Sequence, residues 1–183
     1  MTASAQIWHH WKGMIGGIVA MAVIVTASNY LVQIHINDWL TWGALTYPIS
    51  FLVTDLTNRA LGPKAARQVI YLGFAVAVAL SLHFAGVRIA LASGSAFLLA
   101  QLLDVTIFNR LRQLSWWKAP LVSSGLASVL DTAAFFTLAF AGTGLPWVTW
   151  GLGDLGVKFA VAMVMLAPFR ALMTLARPVT YAS

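Results

Sequence analysis

Residues Gln101–Arg112 read QLLDVTIFNRLR and follow directly on the apolar run AFLLA, Ala96–Ala100. The stretch continues an apolar helix while inserting a glutamine and an aspartate. An ionisable group at the centre of a bilayer costs at least about 2.5–3.5 kcal/mol, and such groups normally face a bundle interior and serve function. Either the helix is not in a membrane, or it encloses a polar chamber.

The rest of the chain decides between these. Of 183 residues, 60% are hydrophobic and 9% charged, with a mean hydropathy of +0.83, far from the roughly 25% charged residues of a soluble domain. The protein is therefore expected to be an integral membrane protein. Six apolar runs, each long enough to approach the ~20 residues that span a hydrocarbon core, can be placed: Gly13–Val32, Thr41–Asn58, Gln68–Phe84, Ile89–Phe108, Ala119–Ala141 and Asp154–Leu175. The expected fold is all-α: one bundle of six transmembrane helices, forming a single transporter-sized domain over residues 1–183 with no room for a soluble catalytic unit.

Charge distribution orients the bundle. Lys12, Arg59, Lys64, Arg67, Arg110, Arg112, Lys118, Arg170 and Arg177 fall on one side of the six-span arrangement, Arg88 alone on the other, and Lys158 inside the sixth run. By the positive-inside rule both termini face the cytoplasm. The same rule accounts for the net charge of +6 and the pI near 10.2, so no nucleic-acid partner is implied. The eight tryptophans pair as Trp8/Trp11, Trp39/Trp42, Trp116/Trp117 and Trp147/Trp150, each pair flanking a run, at the headgroup level that Trp prefers. GPK at Gly62–Lys64 and GTGLP at Gly142–Pro146 mark turns, and no cleavage pattern of a removed signal peptide is read before Gly13. Pro48 and Pro168 lie within runs, as helix bends or hinges.

All five acids are aspartates. Asp104 stands fifteen residues into its run and Asp131 twelve residues into the next, which at 1.5 Å per residue puts both near mid-membrane. They are expected to share one chamber. Gln101 and Phe108 share a helix face with Asp104, and Ser124, Ser128 and Phe135 share one with Asp131. Asp55 with Arg59, and Asp154 with Lys158, have the spacing of intrahelical ion pairs, with coupling or gating as the functional reading and helix insertion as the plainer one. Asn29 and Gln33 of the first run are either substrate contacts or interhelical glue, the latter worth on average only about 0.6 kcal/mol per contact. A GxxxG at Gly13–Gly17 reads as a packing face, and DLTNR (Asp55–Arg59) echoes DVTIFNR (Asp104–Arg110).

Several functions have no support. The chain has no cysteine, which removes thiolate chemistry and cysteine metal sites. No His or Asp set is spaced for a metal, no Walker A pattern is present, and no GxSxG occurs. No cofactor is expected, and no enzymatic activity.

The motifs SNYLVQ (Ser28–Gln33), TWGALTYPISFLVTDLTNRALGPKAARQVI (Thr41–Ile70), QLLDVTIFNRLRQ (Gln101–Gln113), WWKAP (Trp116–Pro120), SVLDTAAFFTLAF (Ser128–Phe140) and GDLGVKF (Gly153–Phe159) resemble the bacterial queuosine precursor transporter family, within the vitamin uptake group. The resemblance implies uptake of 7-deazaguanine bases, the 7-cyano and 7-aminomethyl precursors, across the bacterial inner membrane by alternating access. The group is also similar in plan to substrate-binding subunits of energy-coupling factor importers, which leaves a capture subunit serving a separate ATPase as the alternative. Under this resemblance Asp131 or Asp104 accepts the N–H edge of the base as two hydrogen bonds. Gln101 or Asn29 meets its carbonyl, and Phe135 or Phe108 stacks on its plane. The expected partners are the base and the lipid bilayer; a homodimer is left open.

Overall fold

A computed structural model describes residues 3–31, 34–37, 40–82 and 87–173. Of the residues named above, Val32, Gln33, Trp39, Phe84, Leu175 and Arg177 lie outside them, as does the fifth aspartate, Asp38.

Apolar runs become helices because a backbone in lipid must satisfy its own polar groups. The order is α1 (Ala3–Leu31), a two-stranded hairpin of β1 (His35–Asn37) and β2 (Leu40–Thr41), α2 (Trp42–Thr46), α3 (Ile49–Leu61), α4 (Pro63–Ser81), α5 (Val87–Leu111), α6 (Lys118–Phe140) and α7 (Trp147–Leu172). In the hairpin His35 pairs with Thr41 and Asn37 with Leu40, antiparallel; the apolar-run reading did not anticipate it, because so short a pairing leaves no periodic pattern. Among the described residues, four helical segments are long and apolar enough to cross a membrane: His10–Leu31, Ala90–Leu111, Lys118–Phe140 and Trp147–Leu172.

The second apolar run is broken in two. Pro48 has no N–H to continue the helical ladder, so α2 stops and α3 restarts, with Ser50 N–H bonding back to the Tyr47 carbonyl at 2.9 Å. Pro168, by contrast, lies inside an unbroken α7. The sixth helix also begins earlier than the hydropathy reading, at Trp147, so that Asp154 sits seven residues inside it rather than at its edge. The indole and glycine residues of WVTWGLG diluted the apolar signal there without interrupting helix formation.

Between α3 and α4 the chain reverses at Gly62, whose φ of 87° suits a residue with no Cβ, and Pro63 opens α4 at a position that needs no N–H.

The helices pack as neighbours along most of α5 and α6, of α1 and α4, and of α6 and α7, with α3 inserted against α1, α4 and α5. Met21 and Val25 of α1 interlock with Ala66, Val69 and Ile70 of α4 and with Phe97 and Val105 of α5. The GxxxG reading holds in position: a Cβ on Gly17 would meet Val69 Cγ2 at 3.1 Å and one on Gly13 would meet Leu61 Cδ1 at 3.1 Å, so both glycines let α1 approach α3 and α4 closely. Outward, Val19, Val23, Leu91, Leu99, Leu126, Leu152, Met163 and Val164 are exposed, an apolar girdle that a soluble protein rarely carries.

Candidate functional site

Polar side chains converge inside this girdle in three groups. The tightest centres on Lys158 of α7. Its Nζ lies 2.7 Å from Asp131 Oδ2 on α6 and 2.5 Å from Asp154 Oδ2 one turn back on α7. It also donates to Thr132 Oγ1 at 3.1 Å. An ammonium has three donors, and all three are used. Thr132 donates in turn to Asp154 Oδ2 at 2.8 Å, and Tyr47 O–H donates to Asp131 Oδ1 at 3.0 Å. Lys158 Nζ stands 5.5 Å from the centroid of the Tyr47 ring. The expected Asp154–Lys158 contact is present, but it is one arm of a closed network joining α2–α3, α6 and α7 at the proline break.

The second group is an acid pair. Asp55 of α3 and Asp104 of α5 face each other within hydrogen-bonding reach. Ser124 Oγ of α6 stands 3.4 Å from Asp55 Oδ2 and 3.4 Å from Asp104 Oδ1, long for hydroxyl contacts whose usual distance is about 2.7–2.8 Å. Both aspartates are buried, and apart from each other Asp55 Oδ1 and Asp104 Oδ2 have no partner among the described residues. The two halves of the DLTNR and DVTIFNR echo thus deliver their acids to one place.

Asp55 does not pair with Arg59. One turn apart on a helix they had the spacing for it, but the short carboxylate is held inward by α5 and α6, while a long arginine side chain can run outward toward the helix end. Arg59 Nε has no partner among the described residues.

The third group is a zipper between α3 and α5. Gln101 Nε2 donates to Ser50 Oγ at 2.8 Å, Thr54 O–H donates to Gln101 Oε1 at 2.6 Å, and Asn58 Nδ2 donates to the Val105 carbonyl at 3.1 Å. Gln101 therefore commits both ends of its amide to helix packing.

A narrow cleft runs between α3, α6 and α7, lined by Asp55, Ser124, Ser128 and Lys158 among apolar side chains that include Phe51 and Phe169. Its lining, mostly apolar with a few placed polar groups, has the character of small-molecule sites. Ser128 is buried and its Oγ has no partner. Phe108 backs Phe169 edge-on, centroids 6.2 Å apart. Phe135 belongs to a separate aromatic group with Phe136 and Phe140, at 5.2 and 5.9 Å, past Asp131 on α6. Asn29 is half-buried next to Ser28, whose hydroxyl meets Thr46 Oγ1 at 3.0 Å.

Asp104 and Asp131 thus do not meet in one chamber: each has its own partners, and the Ser124–Ser128–Asp131 face of α6 connects the two. Tyr47, Thr132, Ser50, Thr54 and Asn58 were not singled out from the sequence. The spacing Ser50–Thr54–Asn58, four residues apart each time, was the available signal, since it places three polar groups on one helix face.

Fold and site together define a class, a multi-pass helical membrane protein with its polar chemistry inside the bundle. Residues 41–87 and 81–173 match the family described as "Putative vitamin uptake transporter", and the chain belongs to that family, a family of transporters and not of enzymes. It is 37% identical to the "Queuosine precursor transporter" of Escherichia coli, over 80% of this chain and 79% of that protein. It is 36% identical to the "Probable queuosine precursor transporter" of Haemophilus influenzae, over 79% of each. The protein of the same description from Bacillus subtilis is 27% identical, over 69% of this chain and 68% of its own. No solved structure matches.

Proposed function

We propose that this protein imports 7-deazaguanine precursors of queuosine across the bacterial inner membrane by alternating access. It crosses the bilayer six times as a single domain, with the broken α2–α3 unit and α4 supplying the second and third spans and both termini in the cytoplasm. The names of its relatives support the cargo, and the nine-to-one distribution of Lys and Arg supports the orientation.

One observation carries the site: among the buried side-chain oxygens that no donor of the described residues reaches, Asp55 Oδ1 and Ser128 Oγ line one cleft and Asp104 Oδ2 belongs to the acid pair beside it. Buried polar groups are normally satisfied, and exceptions call for a ligand or water. A 7-deazaguanine presents a ring N–H beside an exocyclic amine, two donors that one carboxylate accepts together. In this reading Asp55 and Asp104 take that edge, Ser128 meets a further polar atom of the base, and Phe51 or Phe169 covers its plane. Asp131, its two oxygens already held by Tyr47 and Lys158, braces the wall of the site.

The lining supports a one-sided opening. From Lys158 it descends α7 through Ala162, Met165 and Leu166 to Phe169 and rises along α6 only from Pro120 to Ser128, so it extends toward the end where α6 begins and α7 finishes. The Tyr47–Asp131–Lys158 network closes the opposite end, as one state of an alternating-access cycle requires.

The test is uptake of labelled 7-cyano and 7-aminomethyl bases by purified protein in liposomes, with queuine as competitor. Asp55→Asn and Asp104→Asn should each abolish uptake at normal abundance. Wild-type rates in both variants would overturn the site. A pure protein that binds the bases but moves them only with a co-purifying ATPase would convert the reading to a capture subunit.

A further inference from the structure

Arg59, displaced from its expected partner, leads to a second site. It lies in the last turn of α3, Arg170 lies in the last turn of α7, and Arg112 directly follows α5. Three helices therefore end close together, each delivering an arginine. Arg112 reaches the Arg59 carbonyl, and Arg170 stacks over Trp116, which packs against the same apolar cluster as Leu56 of α3, Leu111 of α5 and Phe169 of α7. A basic residue at a helix C-terminus complements that helix's own dipole, but this gives no reason for three to converge.

Each guanidinium carries five N–H donors, and few are used. Arg112 donates to the Arg59 carbonyl at 3.4 Å and to Asn109 Oδ1 at 3.5 Å, both long. Arg170 reaches only Met173 Sδ, at 3.8 Å, and stacks over Trp116 at 4.8 Å. Arg59 Nε is buried and has no partner. None of the described aspartates Asp55, Asp104, Asp131 and Asp154 pairs with these arginines; the ion pairs of Asp131 and Asp154 go to Lys158. The cluster has convergent positive charge, open donors and no counter-anion among the described residues.

We propose that Arg59, Arg112 and Arg170 form a binding site for a phosphate group, as carried by an acidic lipid headgroup or by free phosphate. The forked guanidinium geometry matches phosphate oxygens, and basic pockets between helix ends hold anionic headgroups. Height favours a lipid: Trp116 packs on Arg170 and the exposed Trp117 stands beside it, which is headgroup depth for tryptophan. The site bridges α3 and α7, two walls of the cleft, so its occupant would hold those helices together at that end. It does not depend on what the cleft carries.

The experiment is thermal melting of the full-length protein in neutral detergent, titrated separately with dioleoyl phosphatidylglycerol, dioleoyl phosphatidylcholine and inorganic phosphate. Phosphatidylglycerol should raise the melting temperature saturably, and phosphatidylcholine should not. Arg112→Gln and Arg170→Gln should each weaken the apparent affinity about fivefold, the order expected for one basic contact to an anionic surface. Arg59→Gln should do the same, with Arg59→Lys recovering part of the loss. Lys64→Gln, an exposed change, should leave the affinity as it was. Stabilisation by phosphatidylglycerol alone assigns the phosphate to lipid, whereas equal stabilisation by inorganic phosphate assigns it to a soluble anion. Stabilisation by phosphatidylcholine equal to that by phosphatidylglycerol, an unchanged affinity in Arg112→Gln and Arg170→Gln, or an equal loss in Lys64→Gln would each overturn the proposal.

Discussion

Asp55 and Arg59, one helical turn apart on α3, do not pair: the aspartate faces Asp104 and Ser124 in the interior, and the arginine joins Arg112 and Arg170 at the helix end. The separation leaves an acid pair without a cation on one level and a cation cluster without an acid on another. Both contain buried polar atoms without a partner from elsewhere among the described residues.

At Lys158 the opposite holds, and the first prediction follows from it. Breaking a buried ion pair by removing one partner costs about 3–5 kcal/mol, because the remaining charge is stranded. Lys158→Met leaves both Asp131 and Asp154 stranded, so it should lower the melting temperature and the yield of monodisperse protein sharply. Adding Asp131→Asn to Lys158→Met should recover part of the loss. A Lys158→Met protein as stable as the parent would show the network to be dispensable.

Tyr47→Phe removes a single donor to Asp131 Oδ1. A hydrogen bond to a charged group contributes about 1.5–3 kcal/mol, so the variant should melt lower than the parent but well above Lys158→Met. The ranking of the three melting curves is the measurement.

Gln101 separates packing from binding. Gln101→Leu strips Ser50 and Thr54 of their partner, and an unsatisfied buried polar group costs about 1–3 kcal/mol. Stability should fall while uptake per folded molecule stays near the parent value. Lost uptake at normal abundance and normal melting would instead make Gln101 a ligand contact.

At Gly73 a Cβ would lie 2.6 Å from Met21 Cγ and 2.7 Å from Met21 Cβ, at the seam of α1 and α4. Gly73→Ala should cost about 1–3 kcal/mol, as overpacking does, and Met21→Gly in the same chain, which removes the opposing Cβ, should relieve it. Melting of the single and double variants gives the coupling directly.

Orientation can be read chemically because the chain has no cysteine. Thr143→Cys, in the turn between α6 and α7, should react with a membrane-impermeant maleimide on intact cells. Ser115→Cys, between α5 and α6, should react only after permeabilisation. The reverse pattern would invert the topology.

How far the sequence could be read depends on the range of each interaction. Apolar runs located every long helix because burial from water acts residue by residue, and helical period set which polar groups shared a face. Among the departures, the stop at Pro48 and the early start of α7 at Trp147 arise where a missing N–H or a Trp- and Gly-rich turn outweighs mean hydropathy. The positions of Asp104 and Asp131 well inside long helices and the spacing of Asp154 and Lys158 were likewise legible, being properties of single helices.

Partner choice was not. Asp131 meets Lys158 and Tyr47, Asp104 meets Asp55, and Gln101 is consumed by Ser50 and Thr54, and each of these crosses between helices. By itself the sequence determined that this is a helical membrane protein with four of its five aspartates in or at the edge of apolar runs, because hydrophobicity and helical period are local. Only the tertiary structure decided which acids are neutralised and which remain open, because that depends on which helix faces which and on how many lone pairs and N–H groups the facing side chains leave unsatisfied.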